Sequence, residues 1–312
     1  EVTENDIRRA LTKAQEQAAS DNYELAHTIP VSCAIDGASG VRDPRGMVGE
    51  KMEVDIHLVS GETSALRNFA GAIERSHLDI AAFCATPYAA GLSSLVEDEM
   101  DLGACVVDIG AGVTSFAVFS DGNLIYADAL PLGGGHVTND IAKGLTTAVA
   151  DAERLKTLYG SAIATSADEN EIIEVPPLGE DTDGSPNPVP RSLLVGIIQP
   201  RMEEIFEHVR ARLQDSGAAA YMGRRIVLTG GASQLPGMRD LGQRVLDKQV
   251  RLGRPVRLHG LPDAASGPAF SVASGLLVYT SERAHEMPAE VSAAAEPGSL
   301  WEKLRLWVKE NW

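Results

Sequence analysis

Two stretches of this chain share one pattern: an apolar strand ends in a polar residue and turns at once on closely spaced glycines. The first reads Val106-Val107-Asp108-Ile109-Gly110-Ala111-Gly112-Val113-Thr114, the second Ile226-Val227-Leu228-Thr229-Gly230-Gly231-Ala232-Ser233. Glycine lets backbone N–H groups approach an anion without side-chain obstruction, and successive N–H groups form an anion-binding concavity. Asp108, at the end of its strand, is placed to hold Mg2+ through water, because magnesium keeps several waters and takes few carboxylates. In the second stretch a helix is expected from about Gly237, so that backbone dipoles favour the sugar and phosphate of a nucleotide. Singly, each stretch is also an ordinary tight turn. Between them, Glu153 and Lys156 lie three residues apart on one helical face; as a surface ion pair they would contribute only about 0.2–0.5 kcal/mol.

The surrounding periodicity predicts a helix over 3–19 that opens with an acidic capping box, Thr3 to Asp6. Strands follow at 24–29, 31–35 and 51–60, separated by turns at Asp36-Gly37 and Asp43-Pro44-Arg45-Gly46, which makes a small α+β module ending near Gly61. A helix at 64–76, a short strand near 78–83 and a helix after Pro87 come next. Strands at 105–109, 115–119 and 124–130 form a meander, followed by helices at 136–145 and 148–159. The acidic, proline-rich segment 167–190, with Asp168, Glu169, Glu171, Glu174, Glu180, Asp181 and Asp183, reads as an exposed hairpin or loop with solvated charges. Residues 192–214 read as a helix pair or as one bent helix around Pro200. A buried strand at 225–228 completes the second glycine turn.

The formal net charge of -17, with no Lys/Arg-rich face in view, argues against nucleic acid as a partner. Cys33, Cys84 and Cys105 form no CxxC pair and read as buried free thiols of a reducing compartment. No apolar run reaches the ~20 residues that span a bilayer, and no signal-peptide pattern opens the chain, so a cytoplasmic protein is expected. Residues 281–298 are rich in Ala, Glu, Pro and Ser and read as a flexible linker. Beyond it, Ser299 and Glu302 form a capping box. At about 100° per residue, Leu300, Trp301, Leu304, Trp307, Val308 and Trp312 share one helical face, flanked by Lys303, Arg305 and Lys309. All three tryptophans lie in this segment. An amphipathic helix resting in a lipid surface is expected, attaching reversibly unless many copies cluster.

In order and spacing, the DxGxG hairpin, His136-Val137-Thr138-Asn139-Asp140-Ile141, the helical Glu153-x-x-Lys156 and the strand ending in Thr229-Gly230-Gly231 resemble the second half of the actin, Hsp70 and sugar-kinase nucleotide fold. Within it the chain is similar to the bacterial FtsA family. The phrases that carry this are Ile35-Asp36-Gly37 to Gly49 with its core Val41-Arg42-Asp43-Pro44-Arg45-Gly46-Met47, Leu132-Gly133-Gly134-Gly135-His136-Val137-Thr138-Asn139-Asp140-Ile141, Pro200-Arg201-Met202-Glu203-Glu204 and Val227-Leu228-Thr229-Gly230-Gly231.

The resemblance covers nearly the whole chain. It implies an α/β, actin/Hsp70-like (ribonuclease H-like) ATPase fold, incomplete here, with a small α+β subdomain. The implied parts are an interaction subdomain 1C over 1–61, a remainder of subdomain 1A over 62–103 with 268–280, a nucleotide-binding subdomain 2A over 104–145 and 226–267, and a helical subdomain 2B over 146–225. The linker and the tail helix, 299–312, follow. The implied cofactors are ATP and Mg2+. Asp108, Gly110, Gly112 and Thr114 fall at the second phosphate loop, Glu153 and Lys156 on the nucleoside helix, Gly230 and Gly231 at the adenosine loop.

The implied function is that of a polymerising adaptor with weak ATPase activity at most, not an enzyme. It would tether the ring protein FtsZ to the cytoplasmic side of the inner membrane at the septum and recruit later division proteins. Arg201 is either a contact for the acidic C-terminal peptide of FtsZ or a plain surface arginine. A pilus-assembly adaptor, or a sugar or acetate kinase, would share the fold.

Two departures stand out. Gly110-Ala111-Gly112-Val113 replaces the family's Gly-Gly-Gly-Thr, and Ser115 stands near the place of an acidic residue. Strand alternation turns Thr114 away from the side of Val113, so a looser grip on phosphate and slow turnover are expected. The family's first phosphate loop is absent, and the chain alone is expected to bind ATP weakly or not at all.

Overall fold

The computed structural model describes residues 1–18, 20, 22–41, 43–179, 186–258 and 260–283. The described chain forms two compact units, one of residues 1–85 with 276–283, the other Thr86–Gly275. The tail helix expected at 299–312 and the linker beyond Arg283 lie outside the described residues, as do Glu180, Asp181 and Asp183 of the acidic segment.

The first unit begins with helix α1, Glu4–Ala18. Its start is encoded as expected: the Asp6 carboxylate accepts the Thr3 N–H at 2.8 Å and the Thr3 hydroxyl at 2.6 Å. Strand β1 is Tyr23–Ile35, β2 Ala38–Val41 and β3 Met52–Glu62, and they form an antiparallel sheet in the order β2-β1-β3. The sequence divides β1 at Pro30, yet the strand runs through it. The register shifts between Pro30 and Ser32, a bulge that absorbs the N–H proline cannot donate. Asp36 and Gly37 both take positive φ, 49° and 83°, as a tight hairpin requires, and this turn creates the unforeseen β2. Val2, Cys33 and Ile35 form a small core with Ile7, Val41, Met52 and Val54 around it. Helix α2, Thr63–Glu74, packs on β3 and β1.

The segment expected as a strand at 78–83 has no ladder. Its apolar composition meets the local criterion, but a strand exists only through a pairing partner, and among the described residues none lies beside it. The chain leaving it is held by His27, whose Nε2 accepts the Ala85 N–H at 2.9 Å. Burial, with the neighbouring His57, pushes the His27 imidazole down to about 4, so it is neutral at physiological pH and able to accept.

The second unit opens with α3, Thr86–Ser94, and α4, Glu97–Leu102. The meander follows as β4 Ala104–Ile109, β5 Thr114–Ser120 and β6 Asn123–Leu130, then α5 Gly134–Gly144 and α6 Val149–Tyr159. A hairpin of β7 Ile172–Val175 and β8 Asn187–Pro190 leads into α7, Arg191–Asp215, one 25-residue helix with Pro200 inside it. Next come β9 Arg225–Thr229, α8 Met238–Leu246 and β10 Gln249–Leu252. Helix α9, Ser271–Glu282, passes from the second unit into the first.

The sheet order is β10-β9-β4-β5-β6, with β9 parallel to both β4 and β10 and the meander antiparallel. Alternation splits β4 between two faces. Cys105, Val107 and Ile109 enter the large core with α5 to α8, while α3 and α4 pack on the meander strands. Glu99 ties α4 to the sheet edge: Arg251 reaches it at 2.8 and 2.5 Å and Arg225 at 3.2 Å. Burial would raise its carboxyl, but the bonds from Arg251, the Val96 N–H and Arg225 hold it below the usual carboxylate range.

The acidic segment forms the expected hairpin, with one correction. Asp168 is not solvated: it is 1% exposed and bound to Arg191 at 2.7 Å. Sequence shows a run of charges, whereas only the fold shows that one of them meets a cation inside.

Candidate functional site: two glycine turns beneath a helix N-terminus

The β4–β5 turn and the turn after β9 meet. A Cβ on Gly230 would lie 2.3 Å from Asp108 Oδ1 and 2.5 Å from the Ile109 carbonyl oxygen, so the two strand ends touch through a position only glycine can fill. Gly230 also has φ 85° and ψ 164°, a region essentially restricted to glycine. A third glycine run joins them. The N–H groups of Gly134 and Gly135, at the start of α5, donate to the carbonyls of Gly110 and Ala111 at 2.9 and 2.7 Å. Ala232 comes within 2.9 Å of where a Gly134 Cβ would stand. Three glycine-rich segments from distant parts of the chain therefore converge.

The backbone bonding leaves donors for an anion. Among the described residues no acceptor takes the N–H of Ala111, Gly112, Gly231 or Ala232. A cleft of about 620 Å3 opens beside the first of these turns and the start of α5, lined by Ala111, Gly112, Gly135, His136, Thr138, Asn139, Val149, Ala150 and Glu153. His136 Nδ1 accepts the Gly133 N–H at 3.1 Å, which closes the first turn of α5 in the manner of a capping box.

Glu153 and Lys156 are more than a surface pair. Lys156, 15% exposed, donates to Glu153 at 2.7 Å, to the Thr138 hydroxyl at 2.8 Å and to the Gly134 carbonyl at 3.0 Å. Thr138 also donates to Glu153 at 2.5 Å. Burial raises the Glu153 carboxyl, and the bonds from Lys156 and Thr138 outweigh it to hold it low. Glu153 thus presents a fixed carboxylate to the cleft, while Lys156 stands behind it and ties α6 to the start of α5.

Asp108 is 7% exposed, and no hydrogen bond or ion pair reaches its carboxylate among the described residues. Burial pushes it up to about 6. Thr114 is fully buried opposite Ile109, on the core side of the sheet, and its hydroxyl has no partner among the described residues; it is not offered to the cleft. Arg201 is away from the cleft and already engaged, to Asp140 at 2.6 and 3.2 Å and to Glu204 at 2.5 Å, which joins α7 to α5. Residues 300–309 and Trp312, expected at a membrane, lie outside the described residues. Val149 and Ala150 carry no signal in the sequence, while His136 and Asn139 stand in the motif that carries the resemblance without being singled out there as site residues. The signal was the uninterrupted Gly133-Gly134-Gly135 just before them, which marks a close backbone approach.

Residues 105–275 match the family model described as cell division protein FtsA, and residues 1–60 match that of the SHS2 domain inserted in FtsA. The cell division protein FtsA of Rhizobium meliloti is 44% identical over the whole chain, which covers 71% of that protein. The chain belongs to the FtsA family. More distant FtsA proteins, from Pseudomonas aeruginosa and Escherichia coli K12, are 36% and 34% identical over the whole chain, which covers 75% and 76% of them.

Solved structures place the FtsA-family chain in the actin-like ATPase fold. A PilM-PilN type IV pilus biogenesis complex aligns with TM-score 0.60 at 18% identity, covering 88% of this chain and 72% of the other. MreB5 of Spiroplasma citri bound to ADP aligns with TM-score 0.55 at 18% identity, covering 76% and 68%. At that identity the likeness concerns fold alone. Membership in FtsA gives the chain an actin-like role in cell division.

Proposed function

We propose that the cleft beside the converging glycine turns holds an adenine nucleotide, with phosphates on the free N–H groups of Ala111, Gly112, Gly231 and Ala232 and the nucleoside toward Glu153. The contact of Gly230 with Asp108 and Ile109 carries this reading, because strand ends pressed that closely together suit a shared backbone-lined anion site. The ADP-bound MreB5 supports it by likeness of fold. Asp108 fits a hydrated magnesium: among the described residues it is a buried carboxylate without a partner, and no cluster of three or more His, Cys, Asp or Glu there could ligate a metal directly. Magnesium bound there would neutralise phosphate charge. Asp108 would orient its waters, and Lys156 would keep the start of α5 in place.

Of the two outcomes expected for this chain alone, weak binding and none, the converging turns favour weak binding, so Mg-ATP at millimolar concentration is expected to slow amide hydrogen exchange at Ala111, Gly112, Gly231 and Ala232. Unchanged exchange at all four under saturating nucleotide would rule the site out.

The larger role follows the family: an ATP-binding, polymerising adaptor that anchors the FtsZ ring to the inner face of the cytoplasmic membrane and recruits later division proteins. No helix among the described residues is long and apolar enough to cross a membrane, and attachment is assigned to residues 299–312. A Trp301→Glu, Trp307→Glu double variant is expected to lose co-sedimentation with anionic liposomes; retention equal to the parent chain contradicts the assignment. The acidic FtsZ peptide is assigned to the helical region 146–225. Arg201 takes part there by holding α7 against α5, since a peptide would have to displace Asp140 to reach it.

A further inference from the structure

Two of the three buried side-chain atoms that lack a hydrogen-bond partner among the described residues sit next to each other in β5, Thr114 Oγ1 and Ser115 Oγ. They face opposite sides of the sheet. Thr114 faces the large core with Ile109, whereas Ser115 stands directly opposite Asp108. Its other ladder neighbour is Ala129, so Asp108 is the one polar group flanking the serine hydroxyl on the ladder. Directly opposite residues in an antiparallel pair have Cβ atoms ~5 Å apart. A direct bond can close that span, as it does from Ser32 to Asp55 across β1 and β3, but none is made between Ser115 and Asp108 among the described residues, which leaves both able to share one water. Beyond Asp108 in the same row, Thr229 is satisfied by Pro268 and Ser271. The unmet hydrogen-bonding capacity of the row is therefore concentrated on Asp108 and Ser115.

We propose that Ser115 is a positioning residue of the cation site, its hydroxyl holding a water shared between Asp108 and the hydration shell of magnesium. The inference rests on the nucleotide reading above and deepens it by assigning this chain's own hydroxyl to the metal. A buried hydroxyl without a protein partner costs free energy. A shared water removes that cost, and it fixes the Asp108 carboxylate at the mouth of the turn. Partners one shell out from a metal change its affinity by about 10–100-fold when removed.

The test compares the rise in melting temperature given by ATP with Mg2+ and by ATP with EDTA, in the parent chain and in Ser115→Ala and Ser115→Cys. Both variants leave the melting temperature without ligand unchanged or slightly higher, because no protein bond is lost. Both lose most of the magnesium-dependent increment while keeping the magnesium-independent one. Mn2+ titration followed by electron paramagnetic resonance in the presence of ATP shows about tenfold weaker binding. If the parent responds to Mg-ATP and both variants keep the full magnesium increment, the serine has no part in the site. If either variant melts well below the parent without ligand, the hydroxyl belongs to the fold instead. If the parent itself shows no response to Mg-ATP, the nucleotide reading falls and takes this inference with it.

Discussion

Replacing Gly230 by alanine lowers the melting temperature by roughly 4–24 °C and abolishes any protection of the glycine turns by Mg-ATP. Two costs add. The backbone at φ 85° and ψ 164° is open essentially to glycine alone, which costs about 1–3 kcal/mol for another residue. The new methyl group would also stand 2.3 Å from Asp108 Oδ1, 2.5 Å from the Ile109 oxygen and 2.7 Å from the Ile109 nitrogen. Two of those atoms are backbone in a fully paired strand, so relief requires moving β9 away from β4, and overpacking of that kind typically costs another ~1–3 kcal/mol. For a unit of this size, each kcal/mol is worth about 2–4 °C. Gly112 has nothing within 4 Å of its missing Cβ and no positive φ. Gly112→Ala therefore serves as the control that leaves the fold intact. Thermal unfolding followed by circular dichroism, with hydrogen exchange at the turns, reads both effects; a Gly230→Ala protein that melts with the parent means the contact is not as close as described.

Replacing Asp108 by asparagine has the opposite effect on the fold and removes the magnesium response. The carboxyl sits at about 6 in the folded chain, raised by burial from 3.8. The folded state therefore holds the proton more tightly than the unfolded one. The stabilisation that comes from the protonated form is complete below about pH 4 and is lost as pH rises through about 6. At pH 7 the parent carries a buried, unpaired carboxylate, at a cost on the order of 1–3 kcal/mol. The amide has no charge to bury. Asp108→Asn is thus expected to raise the midpoint of denaturant unfolding at pH 7 without magnesium or nucleotide, and the advantage shrinks toward pH 4. The same variant shows no difference between ATP with Mg2+ and ATP with EDTA. A variant less stable than the parent at pH 7 would mean that the carboxylate is held by a partner after all. A group that weakens the fold at working pH and stands at the base of a glycine turn that lines a cleft is one whose placement serves binding.

Much of this architecture is legible from local pattern. The meander, the two glycine turns, the capping box of α1 and the helices α3 and α5 to α8 are encoded within a few residues each, because helix and strand periods and glycine conformations act over short distances. Where pairing decides, the pattern misleads. Residues 78–83 look like a strand and have no ladder, while β2 and β10 have weak signals and form because a neighbouring strand offers its edge. Pro30 looks like a break, yet a bulge carries β1 through it.

The candidate site divides the same way. Sequence by itself determined the family, the glycine turns and the acidic side chain at the end of β4, since each is a matter of residue type and spacing. Only the tertiary structure decided that Gly230 presses against Asp108, that Lys156 braces Glu153 and the start of α5 instead of pairing on the surface, and that Arg201 is engaged by Asp140. It also decided that Ser115 and Asp108 face each other without partners among the described residues. Those facts depend on contacts between residues far apart in the chain, and such contacts are set by how the sheet and helices pack, which short-range pattern does not record.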